Sequence, residues 1–497
     1  MEINNILSLS VLSTITILGI SETAVAKQPN VIIICADDIG YGDFGCYGAK
    51  NISTPNLDKL ASCGVRFENA YAPASTSSPT RYALLTGEYA WRKNVGILPG
   101  DAANTIDLSK NNLPRQMKSQ GYTTAIVGKW HLGLGSKESP VDFNNQIKGG
   151  MKDVGFDYSY IFPATNDRVP TIYIENDLTV GLDKNDAIKI SYSKKIGNDP
   201  TGKDSPETLK LKPLTNYHDG TIVNGISRIG WMTGGNSARW IDENMSENIL
   251  SKAVEFISKN SNAPFFLYYA THNAHEPRVA SSRFAGKSKA GIYGDVIEEF
   301  DYCVGEIINT LKEKAIIDNT LIIITSDNGP RIKEAYQDGG LENIGDHDPF
   351  SGLRGGKYSL YEGGCKVPFI VSWEGKIKKP FVQKQRFCYM DILSTLTSIT
   401  NHKKMEGVMN DSRDASELFF KAKAKPYRKY IITQNNNGRL AIRKGNLKLI
   451  APAGKNKAEL YDLKNDRSES NNLVDLPKYC RIVEELIGVN SQLKGTK

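Results

Sequence analysis

A short segment of the chain combines a hydroxyl group with a cation at the expected start of a helix. Residues 77–81 read SSPTR, and residues 82–87 continue as YALLTG. Pro79 has the fixed φ that suits a first helical position, and Arg81 follows within the first turn. Ser77 would therefore lie at the electropositive end of a helix, which favours an anionic ligand. The simpler interpretation is that Ser77 or Ser78 only caps the helix.

Carboxylates follow directly after two apolar, β-branched runs elsewhere in the chain. Asp37 and Asp38 follow the run VIII of residues 31–34 after two further residues. Asp327 and Asn328 follow the run LIII of residues 321–324 in the same way. Carboxylate and amide oxygens are the hard ligands that Ca²⁺ or Mg²⁺ prefers. Each pair alone is more typical of a turn. Their occurrence at two predicted strand ends favours a cation site.

Cationic and imidazole side chains follow two more apolar runs and one glycine-rich loop. They are Lys129 and His131 after residues 123–127, His272 and His275 after residues 265–269, and Lys357 within LRGGK. A lone Lys or His more often belongs to the surface or the core, but three of the six histidines lie in these two short segments. Together with a divalent cation and an Arg, these groups would form a pocket for a tetrahedral dianion. The charge on its peripheral oxygens must be held while the central atom is attacked.

The four apolar runs that precede these side chains predict the fold. Runs without polar alternation indicate strands that are buried on both faces, as in a parallel sheet covered by helices. Helical patterns over residues 54–64 and 296–311 fit between them. We therefore predict an α/β fold with a mixed, mostly parallel sheet sandwiched by helices. Because open α/β sheets bind ligands at the carboxyl ends of their strands, all four runs would deliver polar groups to one edge.

Changes of composition along the chain suggest a catalytic domain over residues 27–420 and a smaller subdomain over residues 421–497. Residues 149–240 are rich in Asn, Asp, Lys, Pro and Gly and are interpreted as an insertion over the site. Near the C-terminus, short runs separated by turns predict a four-stranded antiparallel sheet, followed by a closing helix.

The first 26 residues resemble a secretory signal peptide. An apolar run from Ile6 to Ile20 is followed by an A-x-A pattern before Lys27. The segment before this run lacks Lys and Arg, so an uncleaved anchor is the alternative. Beyond residue 26 no apolar run is long enough to span a bilayer. We therefore expect export of the protein to a periplasm or beyond.

Charge and cysteine content limit the partners and cofactors of the protein. Loss of Glu2 and Glu22 with the leader would raise the formal charge from +7 to +9, which is compatible with a polyanionic partner. The chain has no nucleic-acid recognition motif and no basic block interleaved with aromatics, and a sulfated glycan is the competing polyanion. The seven cysteines have no C-x-x-C spacing and predict neither a disulfide framework nor a zinc site.

Taken in order, these segments resemble the motifs of type I, formylglycine-dependent sulfatases. The matching segments are residues 37–38, 77–87, 128–133 (GKWHLG), 272–275 (HNAH), 327–330 (DNGP) and Lys357. The resemblance implies an alkaline-phosphatase-like fold and hydrolysis of sulfate esters. In this family the first motif residue, Cys or Ser, is oxidised to formylglycine, whose hydrated aldehyde attacks the ester. The chain has the Ser form at Ser77, with Thr80 where Ser is commoner.

The resemblance also assigns metal ligands and roles to positions of this chain. Ca²⁺, rather than Mg²⁺, would be coordinated by Asp37, Asp38, Asp327, Asn328 and the modified Ser77. Arg81 and Lys129 would hold and activate the formylglycine hydrate, and Lys357 with Lys129 would neutralise the transferring sulfuryl group.

The resemblance gives the histidines separate roles. His275 would donate a proton to the leaving alcohol, His272 would contact sulfate, and His131 would act as base on the second hydroxyl of the hydrate. A serine at position 77 further implies maturation by an anaerobic radical enzyme, and hence a bacterial host and oxidation before export.

The substrate is expected to be a sulfated carbohydrate, with galactose or N-acetylgalactosamine as the sugar. In the insertion, Asp167, Arg168 and His218 are candidates to contact it, although ordinary loop salt bridges explain each of them equally well. Two alternatives stay open. One is a phosphodiesterase or phosphonate hydrolase of the same superfamily, and the other is a non-catalytic binder of sulfated glycan in which Ser77 is unmodified.

Overall fold

The computed structural model describes residues 28–331, 333–401 and 411–495. The predicted signal peptide over residues 1–26 lies outside the described residues.

The described strands are short and are numbered here in chain order. They are β1 Asn30–Ala36, β2 Val65–Phe67, β3 Ala70–Tyr71, β4 Thr123–Lys129, β5 Tyr158–Phe162, β6 Ile174–Glu175, β7 Leu178–Thr179, β8 Lys189–Ser191, β9 Ile222–Val223, β10 Ile226–Ser227, β11 Trp231–Thr233, β12 Phe265–Ala270, β13 Thr320–Ser326, β14 Phe369–Ser372, β15 Phe381–Gln383, β16 Phe387–Cys388, β17 Ile431–Gln434, β18 Leu440–Lys444, β19 Leu447–Ile450 and β20 Glu459–Asp462.

The described α-helices alternate with these strands through most of the chain. They are α1 Pro55–Cys63, α2 Ser77–Thr86, α3 Leu113–Ser119, α4 Met151–Val154, α5 Met245–Lys259, α6 Gly291–Glu313, α7 Glu362–Cys365, α8 Ile392–Asn401, α9 Ser416–Phe420 and α10 Cys480–Gly495. The helices predicted over residues 54–64 and 296–311 correspond to α1 and to most of α6.

The central sheet confirms the predicted mixed, mostly parallel architecture. Its ten strands follow the order β15-β2-β14-β13-β1-β12-β4-β5-β6-β7. The four strands predicted from apolar runs are β13, β1, β12 and β4, and they are adjacent and parallel. Strands β14, β2, β6 and β7 introduce the antiparallel pairs. The carboxyl ends of the four parallel strands therefore meet at one edge of the sheet.

Helices cover both faces of this sheet, which explains why its central strands are apolar throughout. Every residue of β1 is buried. Val31 and Ile33 pack in the hydrophobic cluster that includes residues of α2, α3 and α8. Ile32 and Ile34 pack in the opposite cluster, which includes residues of α1, α5 and α6. Full burial of each such side chain contributes about 1.5–3 kcal/mol, so the strands that support the polar edge are held firmly.

The C-terminal part of the chain forms the predicted antiparallel sheet, in the order β17-β18-β19-β20, and α10 follows it. Buried ion pairs join this sheet to α7. Glu362 Oε1 accepts from Lys448 Nζ of β19 at 3.0 Å, and Glu362 Oε2 lies 3.4 Å from Arg443 Nη1 of β18. Tyr71 also donates to Glu362, at 2.6 Å. The small sheet thus fixes the helix that follows the loop carrying Lys357.

Residues 149–240 contribute both to the central sheet and to irregular structure beside it. Strands β5, β6 and β7 extend the sheet beyond β4. The loops between β5 and β6 and from residue 180 to 240 contain short two-stranded pairs, single turns of 3₁₀ helix and irregular segments, and several of their side chains line the cavity described below. Among the described residues, no helix is both long and apolar enough to cross a membrane.

Candidate active site

Ser77 is the first residue of α2, and it is buried, with 3% of its surface exposed. The preceding Thr76 has extended backbone and makes no side-chain capping bond. The Oγ atom of Ser78 is buried without a hydrogen-bond partner among the described residues. Since neither serine caps the helix, the simpler interpretation of this segment is wrong. The hydroxyl of Ser77 is directed to other polar groups instead.

The hydroxyl of Ser77 lies between a cation and a carboxylate. Lys129 Nζ donates to Ser77 Oγ at 2.9 Å and to Asp37 Oδ2 at 2.6 Å. Ser77 Oγ in turn donates to Asp37 Oδ1 at 3.2 Å. Lys129 ends β4 and Asp37 follows β1, so two strand ends meet at one oxygen. An ammonium at this distance can orient and polarise an oxygen atom at position 77.

Asp327 forms a second ion pair beneath the site. Arg81 donates to Asp327 Oδ2 from Nε at 3.0 Å and from Nη2 at 2.8 Å, and both side chains are fully buried. Burial alone would raise the pKa of Asp327, but Arg81 and Lys129 more than offset it and lower the pKa overall. Arg81 also donates to Tyr268 at 3.1 Å. It therefore orients Asp327, and its contact with a hydrate at position 77 stays a prediction.

Asp38 forms the third pair and connects the glycine-rich loop to the sheet edge. Lys357 Nζ donates to Asp38 Oδ2 at 2.7 Å, and Asn328 Nδ2 donates to Asp38 Oδ1 at 2.7 Å. Burial lowers the pKa of Lys357, but the carboxylate of Asp38 raises it more, so the amine stays charged. Asp38 has a φ of +61°, a strained conformation that is typical of functional sites.

The same oxygens fit a divalent cation. Ligand atoms of Asp37, Asp38 and His275 all lie within 4.8 Å of one another. Asn328 Oδ1 is buried and has no hydrogen-bond partner among the described residues. Burial raises the pKa of Asp37 to about 7, with the charges of Asp327 and Asp38 adding to this and Lys129 opposing it. A bound dication would relieve this crowding of carboxylates, and oxygen donors of this kind suit Ca²⁺ or Mg²⁺.

Hydrogen bonds to backbone carbonyls fix the tautomers of two histidines. His131 Nε2 lies 3.0 Å from Leu98 O, and His275 Nδ1 lies 2.6 Å from Glu276 O. Since a carbonyl oxygen only accepts, these two nitrogens carry protons. The other nitrogen, Nδ1 of His131 or Nε2 of His275, is then free to exchange a proton. Burial lowers the pKa of both rings, which Lys129 and Lys357, respectively, lower further.

His272 has a different environment from the other two histidines. Burial lowers its pKa to about 4, and its ring packs edge-on against Phe162 with centroids 6.5 Å apart. It does not line the cavity above Ser77. Its predicted contact with sulfate stays a prediction.

A cavity of about 560 Å³ opens above Ser77. It is lined by Thr76, Ser77, Ile97, Leu98, Pro99, His131, Asp167, Arg168, Tyr192, Thr215, Tyr217, His218, Ile229, His275, Arg331, Lys357 and Tyr358. The structure thus brings all three candidate residues of the insertion to the same cavity as the strand-end motifs.

The three insertion residues form one hydrogen-bonded group on the cavity wall. Arg168 Nη1 donates to Asp167 Oδ1 at 2.7 Å, and His218 Nε2 lies 3.3 Å from Asp167 Oδ2. Burial would raise the pKa of Asp167, but Arg168 and His275 more than offset this and hold it well below its usual range. The wall therefore presents an ionised acceptor beside a guanidinium donor, an arrangement suited to reading hydroxyl groups.

Several cavity residues were not identified as site residues from the sequence, among them Arg331, Tyr217 and Tyr358. Arg331 Nε lies 2.7 Å from Glu276 Oε2. In the sequence Arg331 comes directly after the DNGP motif. Tyr217 and Tyr358 are exposed at the cavity and are neighbours of His218 and Lys357 in the chain. Adjacency to a motif was the only signal for them. Surface tyrosines and arginines are too common for composition alone to mark a site.

The fold and the site together define a hydrolase of anionic esters, since a buried hydroxyl, cations paired with carboxylates and a cluster of oxygen ligands meet at the sheet edge. A family profile described as Sulfatase matches residues 29–402, and one described as N-sulphoglucosamine sulphohydrolase, C-terminal, matches residues 355–495. The chain belongs to the sulfatase family. It is therefore a sulfuric ester hydrolase.

Individual relatives agree with this assignment. The chain is 46% identical over 478 residues to an N-acetylgalactosamine-6-O-sulfatase of Bacteroides thetaiotaomicron, covering 93% of each chain. It is 30% identical over 424 residues to human steryl-sulfatase, covering 80% of this chain and 70% of the relative. A solved B. thetaiotaomicron structure described in work on the metabolism of multiple glycosaminoglycans matches with a TM-score of 0.91 and 45% identity. This match covers 95% of this chain and 100% of that one.

Proposed function

We propose that this protein removes the 6-O-sulfate from an N-acetylgalactosamine unit of a sulfated glycan, after conversion of Ser77 to formylglycine. The observation that carries the proposal is the position of Ser77 Oγ, between Lys129 and Asp37 at the base of a cavity walled by Asp167. The 46% identity to an N-acetylgalactosamine-6-O-sulfatase supports this choice of sugar.

The floor of the cavity would hold the sulfate group. Asp37, Asp38, Asp327 and Asn328 would hold Ca²⁺, which would supply positive charge beside a sulfate oxygen. The hydrated aldehyde at position 77 would supply the attacking hydroxyl and, through its second hydroxyl, a route for sulfate release. The binding of the sulfate group and the transfer of protons would be carried out by lysine, arginine and histidine side chains around the cavity.

Lys129 would keep the reacting oxygen at position 77 in place, as it holds Ser77 Oγ at 2.9 Å in the structure. Lys357, which lines the cavity and bears a raised pKa, would hold a sulfate oxygen as charge develops on it. Arg81 would act one step further away by fixing the carboxylate of Asp327.

The two cavity histidines would move the protons. His275 has its Nδ1 proton on the Glu276 carbonyl and, as the imidazolium, would donate from Nε2 to the leaving sugar oxygen, because the negative charge of a bound sulfate ester raises the pKa of a nearby imidazole. His131 has a free Nδ1 and a lowered pKa, so the neutral ring would accept a proton during sulfate release.

The sugar would be recognised by the insertion. Asp167 would accept hydrogen bonds from sugar hydroxyls, and Arg168 would donate to neighbouring oxygens. His218 would hold Asp167 in position and face the same hydroxyl. An axial hydroxyl at C4 distinguishes galacto from gluco sugars, and a fixed acceptor and donor pair can discriminate between these orientations.

The test begins with the maturation state. Protein purified from an anaerobic bacterial host with its own radical maturation enzyme should give a tryptic peptide, residues 67–81, about 2 Da lighter than the coded sequence. An unmodified mass together with sugar binding and no turnover would establish the non-catalytic binder instead.

Sulfate release should then be measured on N-acetylgalactosamine-6-sulfate, its 4-sulfate isomer, galactose-6-sulfate and N-acetylglucosamine-6-sulfate. We expect the fastest release from the first. Activity on aryl sulfates alone, or on the gluco sugar at an equal rate, would contradict the proposed substrate. Faster cleavage of phosphate diesters would contradict a sulfatase reaction.

The cell location is part of the same proposal. The leader pattern of residues 1–26 supports export to the periplasm or beyond. Cell fractionation of the native host, with N-terminal sequencing of the purified protein, tests it. A protein that keeps residue 1 and remains in the cytoplasmic fraction would contradict export.

A further inference from the structure

The mouth of the cavity carries large apolar side chains that solvent reaches. Eight large hydrophobic side chains are exposed in the described part of the chain, and three of them line this one cavity. They are Ile97, Tyr217 and Tyr358, exposed by 36%, 69% and 39%. Single exposed apolar side chains are ordinary, but a group at one opening marks a binding surface.

Tyr217 is carried by the same turn that places His218. The turn spans Asn216–His218. The ring nitrogen Nδ1 of His218 lies 2.7 Å from Thr215 Oγ1. The rings of Tyr217 and His218 meet edge-to-face with centroids 6.1 Å apart. The position of Tyr217 is therefore tied to the sugar-reading group, although most of its ring faces solvent.

Tyr358 is held at another side of the mouth by the backbone of the glycine-rich loop. Its φ is +74°, a conformation that residues with a Cβ rarely adopt. Its amide donates to Ser75 O at 2.9 Å, and that of Lys357 donates to Pro330 O at 2.8 Å. The loop thus keeps a strained backbone at the residue whose ring lines the cavity opening.

Arg168 lies on the wall of the cavity that both tyrosine rings line. Burial lowers the pKa of Arg168, whereas Asp167 and, more weakly, Tyr358 and Tyr217 raise it, with a net rise. Arg168, Tyr217 and Tyr358 all line the same cavity. Asp167 and His218 are buried in the cavity wall, whereas the rings of Tyr217 and Tyr358 are exposed to solvent.

We propose that Tyr217 and Tyr358 form a second sugar subsite, in which the sugar linked to C1 of the sulfated unit packs against their rings. This rests on the proposed function. The occupant is a second sugar of the glycan, because the part of the chain that is attached to a sulfated sugar in the cavity must extend through this opening. The C–H bonds on one face of a pyranose are weakly positive, and the face of an aromatic ring is negative. Ile97 adds an apolar contact that does not depend on the orientation of the sugar.

The test compares a monosaccharide with a disaccharide. The probes are N-acetylgalactosamine-6-sulfate and the same sulfated sugar linked through C1 to a second sugar, neutral in one sample and a uronate in another. Wild-type kcat/KM should be higher for the disaccharides. Tyr217→Ala should lower the disaccharide value about three- to tenfold, and the monosaccharide value much less.

Matched variants separate packing from other effects. Tyr217→Phe and Tyr358→Phe keep the rings and should keep the disaccharide preference, whereas Tyr358→Ala should reduce it. Leu178→Ala removes an exposed apolar side chain, 52% exposed, that lies outside the cavity, and should change neither substrate. If Tyr358→Ala disturbs Lys357 and lowers both activities equally, Tyr217→Ala still decides the outcome.

A binding measurement separates this inference from the proposed reaction. Calorimetric titration of the Ser77→Ala variant with each probe needs no turnover, and the disaccharides should bind more tightly. Equal affinity for all probes, or an equal loss for all of them in Tyr217→Ala, would overturn the second subsite. Wild-type protein that binds the probes with the expected preference but releases no sulfate would contradict the proposed function alone.

Discussion

The floor and the mouth of the cavity are built on different principles. At the floor, strand ends and the glycine-rich loop supply side chains that pair with one another, as Lys129 pairs with Asp37 at 2.6 Å and Lys357 with Asp38 at 2.7 Å. At the mouth, loops deliver side chains such as Tyr217 that are held on one side only. The floor is therefore suited to one constant chemical group, and the mouth to whatever carries that group.

This difference also limits how each region can change. Removing one partner of a buried pair leaves an uncompensated charge and costs several kcal/mol. Changing an exposed ring costs little stability. Floor residues should therefore affect every substrate alike, whereas mouth and wall residues should affect some substrates and not others.

The largest effect is expected at the floor, from Ser77→Ala. It removes the oxygen that Lys129 and Asp37 hold and should abolish sulfate release from every substrate tested. Ser78→Ala is the matched control, because Ser78 Oγ is buried beside it without a partner in the described structure. Measurable turnover by Ser77→Ala on any sulfate ester would show that position 77 is not the nucleophile.

Lys129→Met should follow, with kcat reduced about 10²–10³-fold for sugar and aryl sulfates alike, since one charge-stabilising group is lost. Lys118, whose ion pair with Asp157 is half exposed, supplies the control as Lys118→Met. Steady-state kinetics on both substrate types measures the effect. A loss of activity on the sugar substrate alone would show that Lys129 acts in substrate recognition and not in charge stabilisation.

Removal of divalent cations should lower thermal stability as well as activity. A cation held by Asp37, Asp38 and Asn328 binds only the folded protein, and at a hundredfold excess over its Kd it would contribute about 2.7 kcal/mol. The melting temperature should fall on chelation, recover with Ca²⁺, and respond less in Asp38→Asn. Identical melting curves with and without chelator would contradict the cation site.

The wall should show selective effects. Asp167→Asn should lower kcat/KM for N-acetylgalactosamine-6-sulfate about tenfold to a hundredfold, because a buried charged acceptor for a sugar hydroxyl is lost. The same variant should hydrolyse a small aryl sulfate at close to the wild-type rate. Equal losses on both substrates would place Asp167 among the floor residues and contradict its proposed contact with the sugar.

The smallest effect on activity is expected away from both regions, from Glu362→Gln. Burial opposes ionisation of Glu362, but Lys448 and Arg443 more than offset it and lower its pKa to about 2. Because the folded-state pKa is below that of an unfolded glutamate, the wild-type advantage should be full above about pH 4.5 and shrink as pH falls.

Denaturant unfolding at several pH values measures this advantage, which should be about 3 kcal/mol near neutral pH. Glu417→Gln, whose exposed pair with Lys421 is worth little, is the control. A constant difference between wild type and Glu362→Gln from pH 6 to pH 3 would contradict the ionised state assigned to Glu362.

The sequence predicted much of the floor because Asp37, Lys129 and Asp327 each follow or end a run that is typical of a buried strand. Residues 31–34 and 321–324 are apolar without alternation, and both became adjacent parallel strands. The parallel arrangement then places Asp37 and Asp327 at one edge without further information. Here local pattern and overall fold agree, so the inference from one to the other holds.

The mouth was harder to predict because loops carry no periodic signal. Asp167, Arg168 and His218 were chosen as polar residues in an insertion, and the structure places all three on one wall. Tyr217 stands next to His218, yet nothing in the sequence shows that its ring stays exposed. That depends on where residues 215–218 fold back over the cavity, which only long-range packing decides.

The ion pairs between α7 and the small C-terminal sheet have a consequence for biosynthesis. Glu362 needs Lys448 and Arg443, which the ribosome adds only after the whole central sheet has been made. The helix that follows the Lys357 loop therefore lacks these ion pairs until those strands have been made. Prematurely terminated chains would carry every motif of the floor but none of these ion pairs, so the last strands to be synthesised complete the support of a helix beside the cavity.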